Sequence, residues 1–406
     1  MQQLSLFDDL PEIDAAITLA ELFEAYYSCR RNKRNTHNAL SFEVDYEANL
    51  IHLCEELNNG TYQIGKSIAF IVNKPVKREI FAANFRDRIV HHLLFNKLNP
   101  LFEKLFIYDS YACRQHKGTH FGIQRIDRFI RQCSHNYTQD CYALKLDIQG
   151  FFMHIDKDIL FTKLSSFIKQ QYLLPDQSLV LKLCQQVIYN NPTQNCIIKS
   201  HRSQWQDLPN DKSLFHSPPY CGLPIGNLTS QVFANFYLNS LDHYIKHELG
   251  VHYYGRYVDD CVFVHHDTTY LKSLIPIIKD YLQNHLQLTL HPNKIYLQHY
   301  SKGVQFLGTV IKPQRIYIAN RTKSNFYTAI QKHNEVVKDQ KPDKEAQAAF
   351  LSSMNSYLGI LKHYKTYRLR KRMLFKNVSG WWWNRVYLSG GIAKFVLKEK
   401  VSKRKF

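Results

Sequence analysis

Two stretches of this chain place acids where chemistry could use them. Tyr257-Val258-Asp259-Asp260 sits between two β-like runs, Val251 to Tyr257 and Cys261 to His265, so a hairpin would present both carboxylates at its tip. Two adjacent buried acids repel and are costly unless a cation holds them. The plain alternative is a solvated turn, since an aromatic-x-Asp-Asp string arises by chance in roughly one chain in ten of this length. The second stretch narrows the choice. Asp147 lies near the end of the β-like segment Cys141 to Ile148, 110 residues before Tyr257, and Phe151-Phe152 follow it. Carboxylates from two neighbouring strands are the hard oxygen ligands that Mg²⁺ prefers. Two such ions ~4 Å apart can activate a hydroxyl nucleophile and neutralise a pyrophosphate leaving group, as nucleotidyl transfer requires. Taken apart, Asp147 could be an ordinary strand-end acid.

The elements that must position these acids are legible in the pattern of apolar residues. From Thr18 to about Lys97 the spacing predicts mostly helix, with one β-like run, Ser67 to Val72, stopped by Asn73-Lys74-Pro75. Residues 176 to 221 have the least regular composition, including Asn190-Asn191-Pro192, Leu208-Pro209-Asn210-Asp211 and Pro218-Pro219, and are expected to form an extended, loop-rich insertion. A helix should begin after Gly226, because Val232, Phe233, Phe236, Tyr237, Leu241, Tyr244 and Ile245 recur at helical spacing. Residues 321 to 376 return to helical periodicity with basic faces. Trp381-Trp382-Trp383 follows in a short tail, and packing against the helices before it is the expected role, since three adjacent indoles on a helix point different ways.

Charge indicates the partner. Lysine and arginine number 53 against 34 acids in 406 residues, and a formal charge of +19 with a pI near 9.4 favours a polyanion. No apolar run approaches the ~20 residues of a membrane span, and no amphipathic or lipidated anchor is evident, so no membrane partner is expected. The acidic start, Met1 to Asp9, lacks a signal peptide's basic and apolar regions and predicts a cytoplasmic protein. The nine cysteines include no C-x-x-C pair, so neither a zinc site nor a disulfide framework is indicated.

Several motifs in series carry a resemblance. Asp147 with Phe151-Phe152, then Gly222-Leu223-Pro224-Ile225-Gly226-Asn227-Leu228-Thr229-Ser230-Gln231, Tyr257-Val258-Asp259-Asp260, Leu290-His291-Pro292-Asn293-Lys294 and Gln305-Phe306-Leu307-Gly308 resemble the ordered motifs of reverse transcriptases. Upstream, Lys74 to Ile80 and Phe85 to His92 extend the likeness, which covers roughly residues 20 to 312. It implies a right-hand polymerase of α+β class, with fingers, an antiparallel-sheet palm and a helical thumb. The corresponding boundaries are an N-terminal extension over 1–40, fingers over 41–140 and 161–221, and palm over 141–160 and 222–312. The thumb would be 313–376 and a basic C-terminal tail 377–406.

The resemblance also implies roles. Asp147 and Asp259 would bind two Mg²⁺ ions, with Mn²⁺ as a substitute, while Asp260 supports the site and the primer end. Lys74 and Arg78 would contact the incoming deoxynucleoside triphosphate, a use that suits a point charge and a forked donor. Phe152 would be the aromatic gate against a ribose 2′-hydroxyl, and Ile225 and Gly226 would line the nucleotide site. Lys294 stands where the family places a lysine that protonates pyrophosphate, and Gln305 to Gly308 would grip the primer. Each has a bland alternative: a core aromatic for Phe152, a pocket filler for Ile225, a core strand for Gln305 to Gly308, and solvated charges for the lysines and Arg78. Arg30 to Arg34, and Lys362 to Arg372 with Lys365, Arg368 and Lys371, supply cations for a template RNA and its cDNA, or else form solvated faces.

Ile225 to Gln231 departs from the commoner family pattern, in which glutamine precedes the glycine and proline follows the serine. Together with Leu208 to Phe215 and Asp109 to Ala112, it is similar to diversity-generating retroelement reverse transcriptases. That likeness implies error-prone copying at template adenines and a small basic partner, the accessory variability determinant. A phage-defence reverse transcriptase and a catalytically idle RNA-binding protein are the rival expectations.

Overall fold

The computed structural model describes residues 16–31, 36–73, 76–339 and 341–398. Three expectations lie outside the described residues: the Met1 to Asp9 start, Lys74 with its neighbour Pro75, and the basic end Ser402 to Phe406. Within Arg30 to Arg34 only the two arginines at 30 and 31 are described. Among the described residues no helix is long and apolar enough to cross a membrane.

The chain divides into two compact units. One comprises the chain up to Gly122 with Leu144–Phe263 and Thr268–Tyr296, and the other comprises Ile123–Ala143, Val264–Asp267 and the chain from Leu297. In the first, the helix Leu19–Arg30 opens on a capping box in which Thr18 and Glu21 satisfy each other's backbone donors. It buries Leu22, Ala25, Tyr26 and Cys29, and Lys97 of the long helix Phe85–Leu105 pairs with Glu21 and Asp176. The helix Leu228–Tyr237 begins two residues after Gly226, as its spacing predicts, and eight of its ten residues are buried.

The helical reading of residues 18 to 97 missed one strand. Ser67–Val72 pairs antiparallel with Arg78–Ala82, from Ile68 opposite Ala82 to Val72 opposite Arg78. The second strand escapes a hydrophobic-pattern reading because its first inward position is an acid, Glu79, which is only 1 % exposed. Cys196–Ile198 joins the other edge of Ser67–Val72 in parallel. Residues 176 to 221 are also more regular than their composition indicates. They start with a helix, Gln177–Tyr189, that buries Val180, Leu183, Cys184, Val187 and Ile188, and only then pass into short 3₁₀ turns.

A four-stranded sheet orders Tyr254–Tyr257, Asp260–His265, Tyr142–Leu146 and Tyr296–His299 from edge to edge. The first two form an antiparallel hairpin, and Asp147 follows directly on the third.

In the second unit, Val304–Phe306, Thr309–Lys312 and Arg315–Ile318 make an antiparallel meander. The helices Asn320–Asp339, Lys344–Leu361 and Tyr367–Asn377 follow, as the periodicity predicts. The stretch from 377, expected as a short tail, instead folds through Leu397: a turn of helix at Gly380–Trp383 leads into the hairpin Val386–Ser389 with Lys394–Leu397. Trp382 is the reason. Its ring stacks on Phe350 with centroids 3.9 Å apart, and its indole nitrogen donates to the His333 carbonyl at 3.2 Å. Phe326, Ile330, Met354, Leu358 and Phe395 belong to the same core.

Candidate active site

The hairpin tip is a two-residue link. Tyr257 and Asp260 are cross-strand partners, leaving Val258 and Asp259 between them. Val258 has φ +56°, an unusual conformation for a β-branched residue, which marks the link as held in place by its surroundings. The turn therefore relaxes the alternation of a strand, and Asp259 and Asp260 occupy the same end of the sheet.

Asp147 reaches that end from the neighbouring strand. Its carbonyl accepts from His291 N–H at 2.8 Å, Ile148 bridges Leu290, and Gln149 N–H donates to Thr289 at 2.9 Å. This pairing returns the chain after the helix Thr268–Leu286 to the carboxylates and brings Lys294 with it. The Lys294 ammonium lies 2.9 Å from Asp147 Oδ1. Lys145, two residues before Asp147 and so on the same face of the strand, lies 3.7 Å from Asp260 Oδ1.

The three carboxylates feel one another. Burial, followed by the charges of Asp260 and Asp147, pushes Asp259 up to about 7. Burial also raises Asp260, and Lys145 partly offsets that rise. Among the described residues no three acidic, histidine or cysteine side chains already converge into a formed metal cluster. The donor set nevertheless fits a hard cation: three carboxylates share one electrostatic site, and the burial and neighbouring negative charges that raise Asp259 are what a cation there would offset.

A second assembly in the same unit gathers Phe152, Ile225 and Gly226. The loop before the helix Leu228–Tyr237 is stitched on both sides. Leu223 N–H donates to Phe152 O at 2.8 Å and Gly222 N–H to Ile155 O at 2.9 Å, while Phe81 N–H donates to Ile225 O at 2.8 Å. Asn227 Oδ1 accepts from Ala83 N–H at 3.1 Å. Gly226 has φ +131°, and a Cβ there would meet the Phe81 carbonyl at 2.9 Å, so the close approach requires glycine. Phe152 and Ile225 are both partly buried against the cluster of Ala69, Phe81, Met153 and Leu214. Arg78 opens the adjacent strand with an exposed side chain.

In the second unit, Lys365, Arg368 and Lys371 are all exposed, and Arg368 and Lys371 stand three apart on Tyr367–Asn377. The basic run is not uniformly outward. Arg370 is buried and donates to the Ile392 carbonyl, so it belongs to the core.

Sequence reasoning passed over Lys145, Glu79 and the pair Arg256 and Asp242. Lys145 had a signal, its period-2 relation to Asp147. Glu79 did not, because its partners come from a distant segment, and no spacing rule marks Arg256 and Asp242, which belong to a strand and a helix, as a pair.

The family profile described as "Reverse transcriptase (RNA-dependent DNA polymerase)" matches residues 73–311. Nuclear intron maturase 1, mitochondrial, of Arabidopsis thaliana is 23% identical over 211 residues, covering 44% of this chain and 28% of that protein. Among solved structures, telomerase from Candida albicans in complex with a fragment of telomeric RNA gives a TM-score of 0.45 at 12% identity, covering 78% of this chain and 59% of that one. Apo telomerase from Candida tropicalis gives 0.47 at 12% identity, covering 73% and 52%. The chain thus spans just over half of these telomerases and 28% of the maturase.

Proposed function

Because the chain belongs to the reverse transcriptase (RNA-dependent DNA polymerase) family, we propose that it copies an RNA template into cDNA at a site built on Asp147, Asp259 and Asp260. The observation that carries this reading is that Asp147 and the Asp259–Asp260 pair stand at the same end of neighbouring strands, with Asp259 pushed up to about 7 by burial and by its acidic neighbours. Asp147 and Asp259 would hold two Mg²⁺ ions, for which Mn²⁺ could substitute, and Asp260 would buttress them. When bound, such ions would make a primer 3′-hydroxyl nucleophilic and neutralise the leaving pyrophosphate. Lys294, anchored on Asp147, would deliver a proton to pyrophosphate. Lys74 and Arg78 would grip the triphosphate of a deoxynucleotide, Phe152 would exclude a 2′-hydroxyl, and Gly226 would let the backbone lie close to the nucleotide. In this reading the fingers are 41–140 and 161–221, the palm 141–160 and 222–312, and the thumb 313–376.

Primer extension on an RNA template with Mg²⁺ tests the proposal. Asp259→Asn should reduce extension by at least about three orders of magnitude, in keeping with loss of a group acting on the transition state, while RNA binding stays near that of the parent. Extension by Asp259→Asn at the parent rate would end the metal assignment.

The finer proposal is an error-prone enzyme of the diversity-generating type, working with a small basic accessory protein. Its support is the Ile225 to Gln231 motif, together with the packing of Ile225 against an apolar cluster shared with Phe152. An isoleucine there offers no hydrogen bond to restrain the nascent pair, a loss of ~1 kcal/mol or several-fold in selectivity. Ile225→Gln should lower misincorporation opposite template adenine several-fold more than opposite other bases. Sequencing products of both enzymes on one template decides it, and equal error spectra at comparable activity would remove position 225 from the account.

A further inference from the structure

The catalytic hairpin is tied down by an ion pair that the proposed chemistry does not use. Arg256, three residues before Asp259, and Asp242, in the helix Asn239–His243, are both fully buried. Their planar groups meet in a fork: Arg256 Nε donates to Asp242 Oδ1 at 2.7 Å and Nη2 to Oδ2 at 2.5 Å. The Tyr254 hydroxyl donates to the same carboxylate at 2.7 Å. Thus Asp242 fixes the plane of the guanidinium, and the remaining nitrogen is aimed. Arg256 Nη1 donates to the carbonyl of Val258 at 2.7 Å. Val258 is the residue with φ +56° in the two-residue link, directly before Asp259.

The backbone around Arg256 is held as firmly as its side chain. Its N–H donates to Asp109 O at 2.9 Å and its carbonyl accepts from Tyr111 N–H at 2.9 Å. The Tyr111 ring lies so close to Gly255 that a Cβ there would come within 2.1 Å of its hydroxyl. From this fixed strand the guanidinium reaches Asn235 through longer bonds of 3.4 Å and the Val258 carbonyl through its short one, and the short bond is the one that enters the two-residue link.

We infer that Arg256, oriented by Asp242, is a positioning residue that holds the Val258–Asp259 link in its left-handed conformation and so sets the arrangement in which the hairpin carboxylates receive divalent cations. The inference rests on the reading of Asp147, Asp259 and Asp260 as cation ligands. A lysine cannot replace the arginine, because one point-like ammonium does not span a carboxylate and the Val258 carbonyl as a planar fork does. Packing alone is separable from positioning. A buried ion pair can often be exchanged for apolar residues of similar volume without loss of stability, but such an exchange leaves Val258 O without its donor.

The experiment uses the full chain without nucleic acid and follows Mn²⁺ binding by electron paramagnetic resonance, beside thermal unfolding. Arg256→Lys, and the double variant Arg256→Met with Asp242→Leu, should each bind Mn²⁺ about tenfold more weakly than the parent, the scale of loss typical when a supporting shell is removed. The double variant is expected to retain a parent-like melting temperature, so it decides the matter should Arg256→Lys fail to fold. Parent-like Mn²⁺ affinity in a folded variant overturns the positioning role and leaves the proposed function standing. Asp259→Asn is the reference. If it binds Mn²⁺ as tightly as the parent, the ion does not sit on the hairpin, and both the proposed function and this inference fall.

Discussion

Asp259 is where burial and function pull in opposite directions. Its carboxyl is pushed up from an ordinary 3.8 to about 7 by burial and by the charges of Asp260 and Asp147. Between these two values the folded protein keeps a proton that the unfolded chain has released, so metal-free stability falls as pH rises across that window. The contribution is complete below about 4 and spent above about 7. Asp259→Asn removes the burden. In chelator at pH 8 the variant should be more stable than the parent by ~1–2 kcal/mol, a figure discounted for partial solvent screening, and at pH 4 the two should melt together. Added Mg²⁺ should raise the parent's melting temperature and leave the variant's unchanged. Identical pH profiles for parent and variant would show that Asp259 does not carry the strain. At this scale much was legible in the sequence. Adjacent acids between two β-like runs, with Asp147 near the end of a third such run, already mark the residues that the structure brings to one end of the sheet, although a solvated turn fits the adjacent pair equally well in sequence. The lysines were less legible: Lys294 reaches Asp147 only because residues 289 to 291 pair beside 147 to 149, a contact spanning about 145 residues of chain with no local signature.

Among the elements, the strand Arg78–Ala82 is the informative failure. Binary patterning assumes that inward positions are apolar, and Glu79 breaks the assumption at an almost fully buried site. The cost is met by three donors from the insertion: Trp205 Nε1 at 2.6 Å, Ser213 Oγ at 2.8 Å and Leu214 N–H at 2.6 Å. One side chain thereby straps residues 205 to 214 onto the same sheet face that packs Ile225 and Phe152. Helices were easier to read than this strand because their apolar repeats are local, as in Leu228–Tyr237, whereas the strap exists only once the chain has returned from 130 residues away. Glu79→Ala should orphan all three donors and cost on the order of 3–5 kcal/mol, the range for breaking a buried charged network. Limited proteolysis should then cut within residues 199 to 217 well before the core unfolds. Protection of that segment equal to the parent's would mean that Glu79 is not what fastens it.

For the whole molecule the governing quantity is charge. An excess of 53 basic over 34 acidic residues cannot be neutralised internally, and few of the described cations sit in buried pairs like Arg256 with Asp242. The surplus therefore faces solvent, where it can condense on a polyanion. A basic run in sequence does not say which of its members do so. Arg370, in the middle of the strongest run, is committed to the core through Ile392, while Lys365, Arg368 and Lys371 remain exposed. The helical period places Arg370 between Arg368 and Lys371 yet on another face, a distinction that composition cannot make. Binding of single-stranded RNA should weaken steeply with salt, with a log–log slope of roughly −0.7 for each phosphate neutralised. If the three exposed cations each neutralise one phosphate, changing all of them to alanine should flatten the slope by about 2 and lower affinity at low salt for every sequence alike. Arg370→Ala should behave oppositely, lowering the melting temperature of the second unit before it alters the slope. Fluorescence anisotropy titrations from low to high salt measure both effects. A triple variant whose slope matches the parent's would show that this helix face meets only water and ions, and that the RNA-binding charge lies elsewhere in the chain.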